Sequence, residues 1–269
     1  MAEATEQRAF TLAFILADGR RCEPTWGNAH PLDDREILGE VAALRAAGGE
    51  VVVSSGGADG PYLENACDGA GALRSAYEQA LDAVRSNHLD VDLEADVPMG
   101  RVGTALRGLQ RSRGTSITLT LPVQDQRTGL TSSAMAVLHG AARHRLDVTV
   151  NAMVMNFGHT GDWGNAMTDA AEAVVGQLET VWPGKGAAEI RRMLGLTPMI
   201  GRNDSGMITT LRDARTLLAF ARSERIGFLA FWSVARDNGS CRARRAVSTC
   251  SGVPQRDYAF TATFKRFAS

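Results

Sequence analysis

The chain has 269 residues, 44% of them apolar, with 29 basic and 30 acidic side chains and a formal net charge of −1. That length supports one large core, and α/β barrels commonly reach this size as a single domain. Near-neutrality gives no electrostatic footprint for a nucleic acid or a membrane surface, which need a positive face. The one basic cluster, Arg242, Arg244 and Arg245, reads as a solvated loop between cysteines.

In chain order, apolar and β-branched runs predict strands at Phe10–Leu16, Glu50–Ser54, His88–Leu93, Ser116–Leu121, Asp147–Met153, Met193–Met199 and Gly227–Trp232. Between them, apolar residues three or four apart predict helices at Asp34–Ala47, Ala70–Arg85, Thr131–Arg143, Ala166–Val181 and Leu211–Ser223. Gly48-Gly49 stops the first of these, and Asp257–Phe267 reads as a short helix packing back on the rest. Near-continuous apolar strands joined through helices imply a parallel sheet, and seven or eight such units imply a barrel. A doubly wound sheet is the competing architecture, but no G-x-G-x-x-G follows the first strand. No repeat, low-complexity tract or linker divides the chain, so residues 1–269 are expected to form a single (β/α)-barrel domain without an insertion.

Phe10 to Ala17 is too short to span a bilayer and has none of the flanks of a secretory leader. Four cysteines in loop-like settings suggest two disulfides and an oxidising compartment. The chain therefore reads as an extracellular protein with its signal peptide outside this sequence. No C-x-x-C pair and no His near a cysteine supports a zinc site, and no cofactor is expected.

The segment Asn87-His88-Leu89-Asp90-Val91-Asp92-Leu93-Glu94 carries the chemistry. On a strand, alternate side chains share a face, so Asp90, Asp92 and Glu94 point one way and Leu89, Val91 and Leu93 the other. If the apolar set packs under helices, the acids point into the barrel. Crowding and desolvation both raise carboxyl pKa values, as a general acid needs. The bland alternative, acids facing water on an edge strand, fits poorly with the apolar residues between them.

This segment resembles the D-x-x-D-x-D-x-E signature of family 18 glycoside hydrolases, the chitinase family, in its bacterial, actinobacterial-type branch. Ser54-Ser55-Gly56-Gly57 looks like the S-x-G-G motif of the preceding strand, and Met153-Val154-Met155-Asn156-Phe157-Gly158 resembles a Met-x-Met-Asp-Tyr-Gly stretch. Gly195 to Gly201 followed by Asn203-Asp204, and Phe231-Trp232-Ser233 on the last strand, agree in order.

The resemblance implies endo-acting, retaining hydrolysis of β-1,4-linked N-acetylglucosamine polymers, chitin and chito-oligosaccharides, assisted by the substrate's own acetamide. In that scheme Glu94 is the acid, Asp92 holds the acetamide N–H, and Asp90 shares a proton or hydrogen bond with Asp92. Trp232 forms an apolar floor under the sugar. Further substrate contacts are expected from Ser55, Gly56, Gly57, Met153, Met155, Asn156, Phe157, Asn203, Asp204 and Trp26.

Three departures stand out: Asn87 replaces the first aspartate, Asn156-Phe157 replaces Asp-Tyr, and only nine residues precede Phe10. Phenylalanine lacks the hydroxyl that would bond the acetamide, so slow hydrolysis or sugar transfer is expected. The competing reading is a chito-oligosaccharide-binding protein with weak or no catalysis; an endoglycosidase for N-glycan cores or peptidoglycan is a third. With Met1–Arg8 read as the end of a helix, about seven strands remain, without the usual first one. The exposed barrel edges then offer a surface for oligomerisation. Trp26, Trp163 and Tyr62 are further candidates for stacking on sugar units, and Arg236 with Asp237 reads as an ion pair at the rim.

Overall fold

The computed structural model describes residues 1–267. Seven parallel strands form its centre: β1 (Ala9–Asp18), β2 (Glu50–Gly56), β3 (His88–Asp92), β4 (Ser116–Asp125), β5 (Thr149–Met153), β6 (Leu194–Leu196) and β7 (Phe228–Leu229). They lie side by side in sequence order, each paired to its neighbour. The crossovers carry α1 (Arg35–Ala46), α2 (Ala70–Ala83), α3 (Met99–Arg113), α4 (Ser132–Arg143), α5 (Trp163–Val181) and α6 (Leu211–Ser223). A last helix, α7 (Ala259–Phe264), packs on α6.

Local sequence explains the boundaries. Asp34 caps α1 by accepting from the backbone N–H groups of Glu36 and Ile37. Thr210 and Asp213 form a reciprocal capping box at the start of α6. α3 was not anticipated; its glycines dilute the apolar stripe of Val102, Ala105, Leu106 and Leu109, all fully or nearly fully buried. An antiparallel ribbon, Arg21–Trp26 with His30–Pro31, was also missed, and it extends the sheet beyond β1.

Alternation sorts the strands into two faces. Val51 and Val53, Leu89 and Val91, Ile117 and Leu119, Val150 and Ala152 are buried under the helices. Burying each valine, leucine or isoleucine of this set contributes roughly 1.5–3 kcal/mol. The inner face is polar: Ser54, Asp90, Thr120, Asn151 and Thr197 form one hydrogen-bonded chain across β2 to β6.

No ladder joins β7 to β1, so the hydrogen-bonded sheet is not closed. The two edges meet at the carboxyl end, where Phe14 and Trp232 stack with ring centroids 5.6 Å apart. At the other end a helical turn, Ala2–Thr5, reaches the C-terminal segment, and Lys265 Nζ donates to Thr5 O and pairs with Glu6 Oε2, each at 2.8 Å. Disulfides join Cys22 to Cys67 and Cys241 to Cys250. No helix among the described residues is long and apolar enough to cross a membrane.

Candidate active site

The acids stand where the alternation predicts. Asp90 and Asp92 lie on the inner face of β3, 7% and 6% exposed, while Leu89, Val91 and Leu93 are in the apolar core. Glu94 follows the strand end and reaches solvent at the mouth. Substrate-binding mouths of such sheets form at the carboxyl ends of the strands.

Ser54 Oγ and Thr120 Oγ1 each donate to one oxygen of Asp90 at 2.6 Å. Asn151 Nδ2 donates to Thr120 Oγ1 at 2.9 Å, which orients that hydroxyl toward the carboxylate. The expected hydrogen bond between Asp90 and Asp92 is not formed: both Asp90 oxygens are taken by hydroxyls, and Asp92 Oδ1 is buried without a partner. The two acids are linked through charge instead. Burial raises Asp90 to about 6, against the two hydroxyl bonds that lower it. Burial, then Asp90 and then Glu94 hold Asp92 well above the carboxylate range. Glu94 is raised by partial desolvation and by the charges of Asp59 and Asp204. Ser54 was read only as part of the S-x-G-G-like motif and given no contact, and Thr120, Asn151 and Asp59 were not singled out from the sequence; the recurrence of one polar side chain per strand on a single face is the signal that would have placed Ser54, Thr120 and Asn151.

Gly56 permits the close approach of β2 to β3. Its φ is +106°, and a Cβ there would lie 2.0 Å from the carbonyl oxygen of Asp92. The inward serine is Ser54. Ser55 points the other way and donates to Glu64 Oε1 at 2.8 Å, so it does not line the mouth.

Trp232, 39% exposed, is the one exposed large aromatic among the described residues. Its bridge to Met199 places it beyond β7 at the mouth. Met153, Met155 and Met199 form a separate apolar cluster beside it, covered by Ala246. Asn156 adopts φ +62°. Its amide donates to Asp204 Oδ2 at 3.0 Å and accepts from Asp204 N at 2.9 Å. Asn203 is buried and donates to the carbonyls of Met199 and Gly201, so it shapes this turn without facing the mouth. Asp204 carries the charge of the bracket toward Glu94.

Several expected contacts lie elsewhere. Phe157 is 4% exposed and packs on Trp163, with centroids 4.6 Å apart. The left-handed turn at Asn156 breaks the alternation and sends the next side chain into the core. A hydroxyl at position 157 would therefore point into packing, away from the mouth. Trp26 sits in the antiparallel ribbon at 5% exposure, and Trp163 opens α5 with its indole N–H bonded to Thr209. Tyr62 is buried too. None of the three presents a ring for stacking on a sugar. Arg236 and Asp237 are not an ion pair: Arg236 donates to the carbonyls of Ile200, Arg202 and Val247, while Asp237 accepts from the first backbone N–H groups of α7.

Among the described residues no group of three or more His, Cys, Asp or Glu is arranged to hold a metal. A groove of about 480 Å³ lies at the opposite end of the sheet, lined by Arg107, Ser116, Asp147 and Lys185, and contains none of Asp90, Asp92 and Glu94. The mouth itself combines a protonatable carboxyl, a buried acidic pair and an exposed indole, which suits acid-assisted cleavage beside a developing positive charge.

No family model matches the chain. Its sequence is 34% identical over 251 residues to the probable bifunctional chitinase/lysozyme of Escherichia coli (strain K12), covering 85% of this chain and 28% of that protein. It is 32% identical over 250 residues to endochitinase 11 of Metarhizium anisopliae, covering 85% and 47%. The chain thus spans less than half the length of either relative. Crystal structures of active domain 2 of the Pyrococcus furiosus chitinase, including catalytic-site mutants complexed with chito-oligosaccharides, match with a TM-score of 0.91 and 34% identity. That match covers 99% of this chain and 88% of theirs. On this likeness over nearly the whole of both chains, the chain belongs to the chitinases of glycoside hydrolase family 18.

Proposed function

We propose that this chain is a catalytic domain that hydrolyses β-1,4-linked N-acetylglucosamine polymers with retention of configuration. The observation that carries the reading is the inner face of β3, where two buried, charge-linked aspartates lie behind a glutamate of raised pKa at the mouth. Glu94 protonates the departing glycosidic oxygen. The acetamide of the sugar attacks its own anomeric carbon, and Asp92 receives the acetamide N–H and, in its ionised form, balances the positive oxazolinium ring. Asp90, fixed by Ser54 and Thr120, sets the charge of that pair. Trp232 lies under the apolar face of the sugar, and partial desolvation, then Asp59 and Asp204, favour the protonated form of Glu94. Catalytic-site mutants of the Pyrococcus domain form complexes with chito-oligosaccharides, and the same ligands are proposed for the mouth around Trp232. Secretion fits the two disulfides.

The non-catalytic alternative rests on Asn156-Phe157 and the short N-terminus; the buried position of Phe157 weakens the first of these, since a hydroxyl there would not face the mouth. The test is turnover of a chromogenic chito-oligosaccharide by the unmodified chain and by Glu94→Gln. Cleavage by the former and none by the latter is the expected result. Undiminished turnover by Glu94→Gln removes the assignment of the acid, and binding without any turnover by the unmodified chain favours the binding protein.

A further inference from the structure

Tyr62 lies outside the acidic strand, yet its hydroxyl stands at the point where that strand ends. β2 leaves the sheet at Gly56 and Gly57, whose φ values are +106° and +90°. The last rung of the β2–β3 pairing is Gly57 N donating to Asp92 O at 3.0 Å. On the other side of β3, Leu93 N donates to Thr120 O at 3.0 Å. The next N–H, that of Glu94, has no strand to pair with. It donates to Tyr62 Oη at 3.2 Å, while the Tyr62 hydroxyl donates to Gly57 O. The phenol thus takes the place of one more rung, closing a ring of hydrogen bonds through Gly57, Asp92, Glu94 and Tyr62.

We propose that Tyr62 is a positioning residue for Glu94, its hydroxyl clamping the Glu94 peptide to the end of β2 so that the carboxyl stays aimed into the mouth. The proposal rests on Glu94 being the acid. Three features show that the clamp is built. The ring is 5% exposed, so the hydroxyl has no competing solvent. The turn that follows, Leu63–Ala66, is pinned by Glu64, a fully buried carboxyl outside the catalytic scheme, whose Oε1 accepts from Ser55 Oγ at 2.8 Å and Tyr77 Oη at 2.6 Å. Arg101 and the Cys22–Cys67 disulfide fix the far end of the same turn. Tyr62 is also kept neutral: burial, followed by the charges of Asp92, Glu94 and Glu64, pushes it up to about 12, so it remains a donor across the working pH range.

The role separates from simple packing in its kinetics. Tyr62→Phe keeps the ring and removes only the oxygen. Freed of its anchor, Glu94 spends more time in water and away from Asp59 and Asp204, the charges that favour its protonated form. We expect kcat on a chromogenic chito-oligosaccharide to fall on the order of 10- to 100-fold, the range that a misplacement of about 1 Å produces. KM should stay within about twofold, because the floor and the acidic pair are untouched. The alkaline limb of the pH profile should move to lower pH. Wild-type kcat and pH limb in a folded Tyr62→Phe protein overturn the proposal, as does a loss confined to KM. Should that variant not fold, hydrogen exchange at the Glu94 amide of the unmodified chain decides. Protection like that of the β3 ladder supports the clamp, and exchange at the rate of an open loop rejects it. Glu94→Gln run alongside separates this from the underlying reading: turnover there overturns the acid assignment, whereas an inactive Glu94→Gln beside an unaffected Tyr62→Phe overturns only the clamp.

Discussion

Replacing Asp90 with asparagine measures the cost of keeping a carboxylate inside the sheet. Burial moves Asp90 from its ordinary 3.8 to about 6, so the native chain holds a proton there that the unfolded chain releases. For an acid with a raised native pKa, the associated stability is fully present below the unfolded value. It is lost as the pH climbs through the native one. At 1.36 kcal/mol for each pH unit, and with pH 4 already just above the unfolded value, this loss amounts to about 2 kcal/mol between pH 4 and pH 7. Asparagine does not titrate, and the Ser54 and Thr120 hydroxyls can rotate to serve its amide and its carbonyl. Urea unfolding of both proteins at the two pH values isolates the effect. The variant should lose at least about 2 kcal/mol less than the wild type on going from pH 4 to pH 7, since removing the Asp90 charge also eases the upward shift of Asp92 while more distant groups cancel to first order. Parallel pH dependences would refute the placement of Asp90 as a desolvated, proton-holding group.

Two further outcomes follow from the mouth and its surroundings. Phe157→Tyr places a hydroxyl in the packing against Trp163, so it should lower stability by roughly 1–3 kcal/mol in urea unfolding and leave kcat unchanged. A gain in rate would mean that position 157 reaches the substrate after all. Asp204→Asn keeps an acceptor for the Asn156 amide but removes a charge that raises Glu94. The alkaline limb of the pH profile should therefore move to lower pH, and an unmoved limb would deny the coupling.

How far the sequence alone reaches can be judged from particular residues. Asp90, Asp92 and Glu94 alternate with Leu89, Val91 and Leu93, and a strand permits only one assignment of faces once the apolar set is buried. The seven parallel strands were legible for the same reason; how the two sheet edges meet was not, because it depends on side chains, Phe14 and Trp232, that come together only in the fold. Alternation holds only while the chain stays extended. At Asn156 a left-handed residue breaks it, so Phe157 was assigned to the mouth and belongs to the core. Trp26 was misplaced because the segment after the first strand reads as a loop, whereas it forms an antiparallel ribbon paired with β1. α3 escaped notice because Gly103 interrupts its stripe. That glycine is required by packing, since a Cβ there would fall 2.3 Å from the ring of His144. Tyr62 was noticed for its ring. Its hydroxyl matters through a contact between segments 32 residues apart, which local periodicity does not encode.

Substrate-assisted cleavage with Glu94 as the acid and Asp92 behind the acetamide makes a stereochemical commitment. Proton NMR of the first anomers released from chitohexaose reads it directly. The account predicts that the β anomer appears first and mutarotates to the equilibrium mixture. Initial release of the α anomer would contradict it.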